Sequence, residues 1–387
     1  MKKIKENKNP KKEKKNAKKS TSVDILSPDS ISKFIDASQS KSNNLNWMRK
    51  KYSKSNKASV EGFNKHSDQG RLKLSGLKLH FLEKADYKVE RDGEFEKFAK
   101  STEVPKEHSI VFFDEPLRNG KYKFIDELFS KESIEKLKNV SCLIIKKEHY
   151  DYIKDKLPEN MGVIVTDYPR YIFFSIREEH LSRANKYPTK IGRGFSKGKD
   201  VFISKTNVTI GNNVKVGTNV VILPNTIIGD NVIIRDNCVI GHQSYENAKY
   251  PSGRPFDVTS VGWTIIGNNV IIHSNVVINV ALFDYDYTGI GENVSIDSNS
   301  YIGHGCKIGN NVSICAGCNL LGYINIEDRV TIYAGSTIKN RLTIGKNAVV
   351  RMGSSVTKDV EEGGDVSGNF AIDHKKHIEQ VKKESKE

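Results

Sequence analysis

An aliphatic residue recurs at every sixth position through the C-terminal half of this chain, and few folds accommodate that period. The series starts Ile210, Val216, Ile222, Ile228, Ile234, Ile240, breaks phase across one insertion and resumes at Ile266. From 266 to 356, sixteen successive positions at this spacing carry an aliphatic side chain, with Asp284 as the single exception. Gly often follows the anchor, as in IGNN, IGDN and IGKN, and the residue four beyond it is small or β-branched, as at Val214, Thr226, Cys238, Ser300, Cys306 and Cys318. An α-helix repeats every 3.6 residues and a strand every 2, so neither produces this pattern. One short strand and one turn per six residues make a flat side, and three sides close a triangular coil of 18 residues. Coils then stack at the ~4.8 Å spacing of paired strands, anchors inward, with Gly and Asn at corners that need positive φ. The expected fold is mainly β, a parallel β-helix over 190–362. The period is silent on handedness, and most parallel crossovers are right-handed.

The rest of the chain has a different texture. The sequence is 387 residues long with a formal net charge of +15. Residues 1–60 hold 17 Lys or Arg against 5 Asp or Glu, whereas the remaining 327 hold 45 against 42. The basicity therefore belongs to a tail, and 1–65, rich in Lys, Ser and Asn, is expected to be disordered because it has little apolar surface to bury. Its first 30 residues lack the interleaved aromatics that stack bases, so no nucleic acid is expected. A solvated tail without a specific partner is the bland reading, and weak contact with an anionic membrane surface is the partner its charge allows. Removing residues 1–60 is expected to leave turnover intact, a comparison that steady-state kinetics on the truncated protein makes directly. Residues 72–185 read as a small α/β domain: SIVFF, VSCLIIKK and MGVIVTD are strands, KFIDELFSKESIEKLKN and HYDYIKDKL helices. Residues 363–387 form a C-terminal extension. Five cysteines make no disulfide framework, the N-terminus has no apolar signal region, and no run is long enough to span a bilayer, so a soluble cytoplasmic protein is expected.

Coil arithmetic indicates where chemistry could sit. His304, in SYIGHGCKIGNN, stands two places after anchor Ile302, near a corner. Eighteen residues forward lies Gly322, whose N–H is sterically open, and eighteen back lies Asp286. A base beside an exposed backbone donor is what acyl transfer requires, one group taking a proton and the other stabilising an oxyanion. A surface histidine on a corner is the bland alternative. Asp284 interrupts the inward stack, where a carboxylate is costly, so the backbone bulges there or that side opens to solvent. Asp284 and Asp286 are candidates to orient His304 or to meet the acceptor. The phase break at 241–265 holds His242, Tyr245, Tyr250, Arg254, Phe256 and Trp263 and is a candidate wall of the site. His242, His273 and His304 lack metal-ligand spacing and Cys318 occupies the small-residue corner position, so no metal is expected.

Over residues 76–376 the layout resembles the UDP-3-O-acylglucosamine N-acyltransferases of lipid A synthesis, within the hexapeptide-repeat acyltransferases. The resemblance lies in SIVFF, VSCLIIKKE and GVIVTDYPRYIFF in order, a loop ending in Gly262-Trp263, the coil IGHGCKIGNN and the end segment GSSVTKDVEEGGDVSGNFA. It implies a left-handed β-helix and a uridine-binding N-terminal domain. It also implies a homotrimer with sites between subunits, His304 as general base and Gly322 as oxyanion donor. The implied reaction moves a 3-hydroxyacyl chain from the phosphopantetheine thioester of acyl carrier protein to the 2-amine of a UDP-amino sugar, with no tightly bound cofactor. His242, Trp263, Asn279, Asp284 and Asp286 are its expected acceptor-side residues. Lys339, Arg341, Arg351 and Lys358 would face the acidic carrier. The chain departs from the family where Arg341 replaces a second functional histidine, where Asn279 replaces an acidic residue, and where 279–289 is longer. Acetyl-CoA-dependent nucleotide-sugar N- or O-acetyltransferases of surface polysaccharide synthesis match the same histidine coil. A non-enzymatic solenoid scaffold predicts instead that replacing His304 changes nothing.

Overall fold

The hexads of the repeat place their anchors in strands of two to four residues and, for the most part, Gly, Asn or Asp at the corners, and the resulting ribbon closes on itself after three strands. The computed structural model describes residues 72–77, 85–95, 97–99, 109–114, 140–181 and 186–368. The expected disordered tail, the helix expected at 123–139 and residues 369–387 lie outside them. From Lys190–Ile191 to Asp365–Val366 the strands sort into three parallel sheets of eight, eight and nine. Face one runs from Phe202–Ile203 to Ser355–Val356, face two from Lys190–Ile191 to Thr343–Ile344, and face three from Ser196–Lys197 to Asp365–Val366. Mostly β, with parallel sheets stacked coil upon coil, this is the left-handed parallel β-helix. The last strand lies beyond position 362, so the terminal coil reaches further than the repeat period alone delimits.

The anchors fill the prism. Ile302 pairs with Leu320, Ile308 with Ile326 and Ile314 with Ile332, and all six are at most 1% exposed. Cys238, Cys306 and Cys318 pack between the stacks, and burial pushes the Cys306 thiol up to about 12. The corners carry φ near +60°, mostly on Asn, whose short amide tolerates this region. The same amides form ladders along the edges, as Asn213 Nδ2 donates to Asn231 Oδ1 at 3.2 Å and Asn231 to Asn269 at 3.1 Å.

Two insertions break the 18-residue register, both at the edge where face one turns into face two. Ile240 pairs with Ile278, 38 residues on, so twenty extra residues leave the coil at 241–262. Ile278 pairs with Ile302 and Ile266 with Ile290, 24 residues on, so six more leave around 280–286. This corrects two expectations. Asp284 is not in the aliphatic stack, because Ile290 takes that place and the carboxylate rides out on the loop. One coil back from His304 lies Val280, not Asp286.

The α/β domain is a five-stranded sheet in the spatial order Tyr87–Arg91, Gly162–Thr166, Val140–Ile145, Ser109–Phe112, Lys97–Phe98. All neighbours are parallel except the first pair. The central strands are buried almost throughout, as strands covered on both faces must be. Helix α1 spans Lys147–Ile153 and α2 spans Pro169–Leu181, the latter opening on a proline suited to a first helical turn. Helix α2 is the mortar between domains. Its Phe173 meets Phe98 and Phe112 of the sheet, while Tyr171 meets Tyr250 and Phe256 of the 241–262 insertion at 5.4 and 5.3 Å between ring centroids. Arg177, 2% exposed, donates to the carbonyls of Leu282 and Thr259, reaching both insertions at once. No helix among the described residues is long and apolar enough to cross a membrane.

Candidate active site

The edge between faces one and two collects the candidate residues. Moving along it, the coils contribute the 241–262 insertion, the 280–286 insertion, then His304, then Gly322 and Tyr323, then Lys339 and Arg341. Ile302 and Leu320 pair in register, so His304 and Gly322 fall on adjacent coils as the forward count expects. His304 is half-buried. Its imidazole lies over Gly322: a Cβ added there would stand 2.7 Å from Nε2 and 2.8 Å from Cε1. Only glycine leaves this space.

On the other edges of the prism, some N–H groups two places after an anchor are capped by a side chain one coil on: Asn212 by Asp230 at 2.8 Å, Glu292 by Asn310 at 2.8 Å, Asn310 by Asp328 at 2.7 Å. Along the His304 edge this cap is missing among the described residues, at Gly322 as at Asn340. Among the described residues none accepts from the Gly322 N–H, whereas its carbonyl accepts from Arg341 N–H at 3.1 Å. An imidazole and an uncapped amide thus share one notch. The expected result of Gly322→Ala is a loss of turnover of about 10- to 100-fold, because the new methyl displaces the ring. Steady-state kinetics beside a thermal melt checks this, the melt shifting little because the coil register is unaltered.

The acceptor-side candidates separate. Asp286, 9% exposed, accepts from Lys307 Nζ at 2.8 Å and from Tyr287 N–H at 2.7 Å. The same ammonium sits 3.5 Å from the centroid of the Tyr287 ring. Asp286 therefore serves an ion pair on face two, with a lysine that the repeat pattern did not mark. Asp284 is exposed on its loop, where its charge favours the protonated form of Arg177. Asn279 is 2% exposed and gives its amide to Tyr301 Oη at 2.8 Å, while its buried Oδ1 has no hydrogen-bond partner among the described residues. Burial pushes the Tyr301 phenol up. His242, exposed, stands opposite Asn279 in the ladder and places Nδ1 2.7 Å from the Gln243 carbonyl. Trp263 is 7% exposed and opens a buried strand beside Tyr287, with its N–H on the Asp286 carbonyl at 3.0 Å.

The insertion at 241–262 does double duty. Ala248–Lys249 and Pro255–Phe256 form a hairpin, and Tyr250 and Phe256 dock against helix α2. These aromatics hold the domains together, while Tyr245, 78% exposed, is left at the surface.

The donor-side cations also divide. Lys339 and Arg341 are exposed on the His304 edge. Arg351 is at the edge between faces three and one, bidentate to Asp365 with Nε at 2.8 Å from Oδ1. That pairing lowers the Asp365 pKa and raises that of Arg351. His273 shares that other edge, 3.9 Å from Asp297, and so is separated from His242 and His304. Among the described residues no three His, Cys, Asp or Glu stand close enough to hold a metal ion.

One residue of the edge escaped the motif reading. Tyr323 packs edge-on against His304, ring centroids 4.8 Å apart at 84°, and the Arg341 guanidinium lies 5.8 Å from its ring. The available signal was a tyrosine three places after anchor Leu320, where the repeat otherwise prefers Asn or Gly.

Comparison with known proteins agrees with the repeat. Residues 207–242 and 287–322 match the family described as bacterial transferase hexapeptide (six repeats), and 323–358 match the hexapeptide repeat of succinyl-transferase. No curated protein matches the chain. Similar solved structures include a UDP-N-acetylglucosamine acyltransferase of Francisella novicida, 23% identical over 50% of this chain and 71% of that one, with a TM-score of 0.41. LpxA from Acinetobacter baumannii is 23% identical over 51% and 74%, with a TM-score of 0.42. The UDP-N-acetylglucosamine acyltransferase of Campylobacter jejuni is 21% identical over 50% and 77%, with a TM-score of 0.39.

Proposed function

We propose that this chain is a hexapeptide-type acyltransferase that acylates the 2-amine of a UDP-3-O-acylglucosamine-type acceptor with a 3-hydroxyacyl chain from acyl carrier protein. The observation that carries the reading is the notch itself, an imidazole lying on a glycine whose N–H meets no capping side chain. The amine nitrogen attacks the thioester carbonyl while the His304 imidazole takes its proton. Charge develops on the carbonyl oxygen, and the Gly322 N–H is the donor aimed at it. As the C–S bond breaks, the pantetheine thiolate leaves and recovers a proton from the imidazolium, so the base is regenerated and no covalent enzyme intermediate is needed. Lys339 and Arg341, exposed on the same edge, supply positive charge for an acidic carrier or a phosphate of the donor arm. The α/β domain is the expected seat of the uridine, and a homotrimer would bring a neighbouring edge to each notch.

A second reading keeps the chemistry and changes the donor. Arg341 stands where the resembled family has a histidine, and a guanidinium suits the phosphates of coenzyme A as well as it suits a carrier protein. The assay that decides offers acetyl-CoA and 3-hydroxyacyl carrier protein side by side with UDP-amino-sugar acceptors and identifies products by mass. Amide product from the carrier thioester alone supports the first reading, and acetylated product from coenzyme A the second. Absence of product with every pairing, from a folded protein, removes both.

A further inference from the structure

We propose that Tyr323 is the positioning residue of His304, its ring setting the orientation in which the imidazole meets a substrate. The kinetic consequence rests on the acyltransferase reading above. The geometry does not.

Three places after the anchor, this edge carries Asn207, Asn225, Gly305, Tyr323 and Arg341, all at positive φ. Glycine pays no steric penalty there and asparagine little, whereas the Cβ of tyrosine crowds its own carbonyl. Tyr323 nevertheless adopts φ +62°. The amide ladder seen earlier on the edge, where Asn207 Nδ2 donates to Asn225 Oδ1 at 3.0 Å, is replaced here by Gly305, Tyr323 and Arg341 on successive coils. A local stability optimum would place Asn at this position. A side chain held against local preference marks a place where something other than the corner is being served.

What it serves is visible in the neighbouring coil. Two rings and two glycines interlock: the His304 imidazole lies over Gly322, and a Cβ on Gly305 would overlap the ring of Tyr323. Each ring occupies the space that the other coil's glycine vacates. The two rings then meet as edge and face at 84°, and the Tyr323 N–H donates to the His304 carbonyl at 2.8 Å. Rotation about the outer torsion of a histidine is broad and roughly two-fold. Gly322 below leaves the ring room to turn, and the Tyr323 ring beside it is the wall that selects one orientation. The Arg341 guanidinium flanks that wall from the next coil.

The experiment compares Tyr323→Asn and Tyr323→Phe with the unaltered chain, by kinetics, thermal melting and NMR of ring-labelled histidine, with the His304 resonance assigned from His304→Ala. Asn relieves the corner, so the expected melting temperature is unchanged or higher, while kcat falls about 10- to 100-fold with a smaller change in KM. Phe keeps the ring and is expected to retain kcat within about threefold, because the wall survives. The His304 ring protons are expected to lose their aromatic ring-current shift in Tyr323→Asn and to keep it in Tyr323→Phe. A Tyr323→Asn protein with an unmoved His304 resonance and unchanged kcat overturns the proposal. If His304→Ala itself leaves turnover unchanged, the acyltransferase reading fails instead, and the ring-current comparison alone decides whether Tyr323 orients the imidazole.

Discussion

Replacing His304 by Ala is expected to lower kcat by about 10²- to 10⁴-fold, the range a positioned general base contributes, with the coil intact. The imidazole is half-buried at a corner and stands outside the aliphatic stack, whose neighbouring anchors Ile302 and Leu320 are fully buried. Its removal therefore takes away no core packing, and the melting temperature should stay within a few degrees. The two measurements together separate chemistry from folding. KM for either substrate should change less than kcat, since proton removal develops in the transition state rather than on binding. Activity retained within about tenfold would remove His304 from the mechanism.

Arg177→Ala is expected to cost about 3–5 kcal/mol against the docking of the two domains. The guanidinium is buried beneath helix α2, 4.8 Å from the Phe174 ring centroid and 5.5 Å from that of Phe283. It bonds Glu178 at 3.0 Å in addition to the carbonyls of Leu282 and Thr259. Burial lowers its pKa, with Glu178 and the nearby Asp284 and Glu246 acting to restore it. Alanine would take this donor from the Thr259 carbonyl, leave the Leu282 carbonyl with the Val261 N–H alone, and open a void beneath two aromatic rings. Hydrogen exchange should accelerate in 241–262 and 280–286 first, because those segments lose their tie to α2. The β-helix, whose ladders do not involve Arg177, should melt at its usual temperature. Lysine should not rescue, since a single ammonium cannot reproduce the planar fork that spans both insertions. Unaltered exchange in both insertions would show that the aromatic contacts alone hold the domains.

The tie has a functional corollary. Both insertions spring from the edge that bears His304, one and two coils before it, so α2 fixes the walls that precede this histidine. Loosening Arg177 should therefore raise acceptor KM while leaving the notch between His304 and Gly322 intact.

The period of six was enough to establish the prism, its inward anchors and its Asn-rich corners, because packing an axis with aliphatics and turning with positive φ are local demands that repeat with every hexad. The same register placed His304 beside Gly322, since no insertion separates Ile302 from Leu320. Legibility ended where the register changed. The six extra residues around 280–286 moved Asp286 away from the expected position behind His304 and onto Lys307, and moved Asp284 out of the stack. A count along the chain cannot distinguish a hexad that lies in the wall from one that loops out of it; only the pairing of Ile266 with Ile290 does. The aromatics of 241–262 were legible as a wall of something, yet their contact with α2 depends on a helix distant in sequence. Arg351 shows the same limit from the other side: charge and proximity in sequence grouped it with Lys339 and Arg341, but twelve residues and ten residues on are two strands further around a triangle, so it faces another edge. What repeats locally was written in the chain; which corner faces which neighbour was decided by how the coils close and where two of them open.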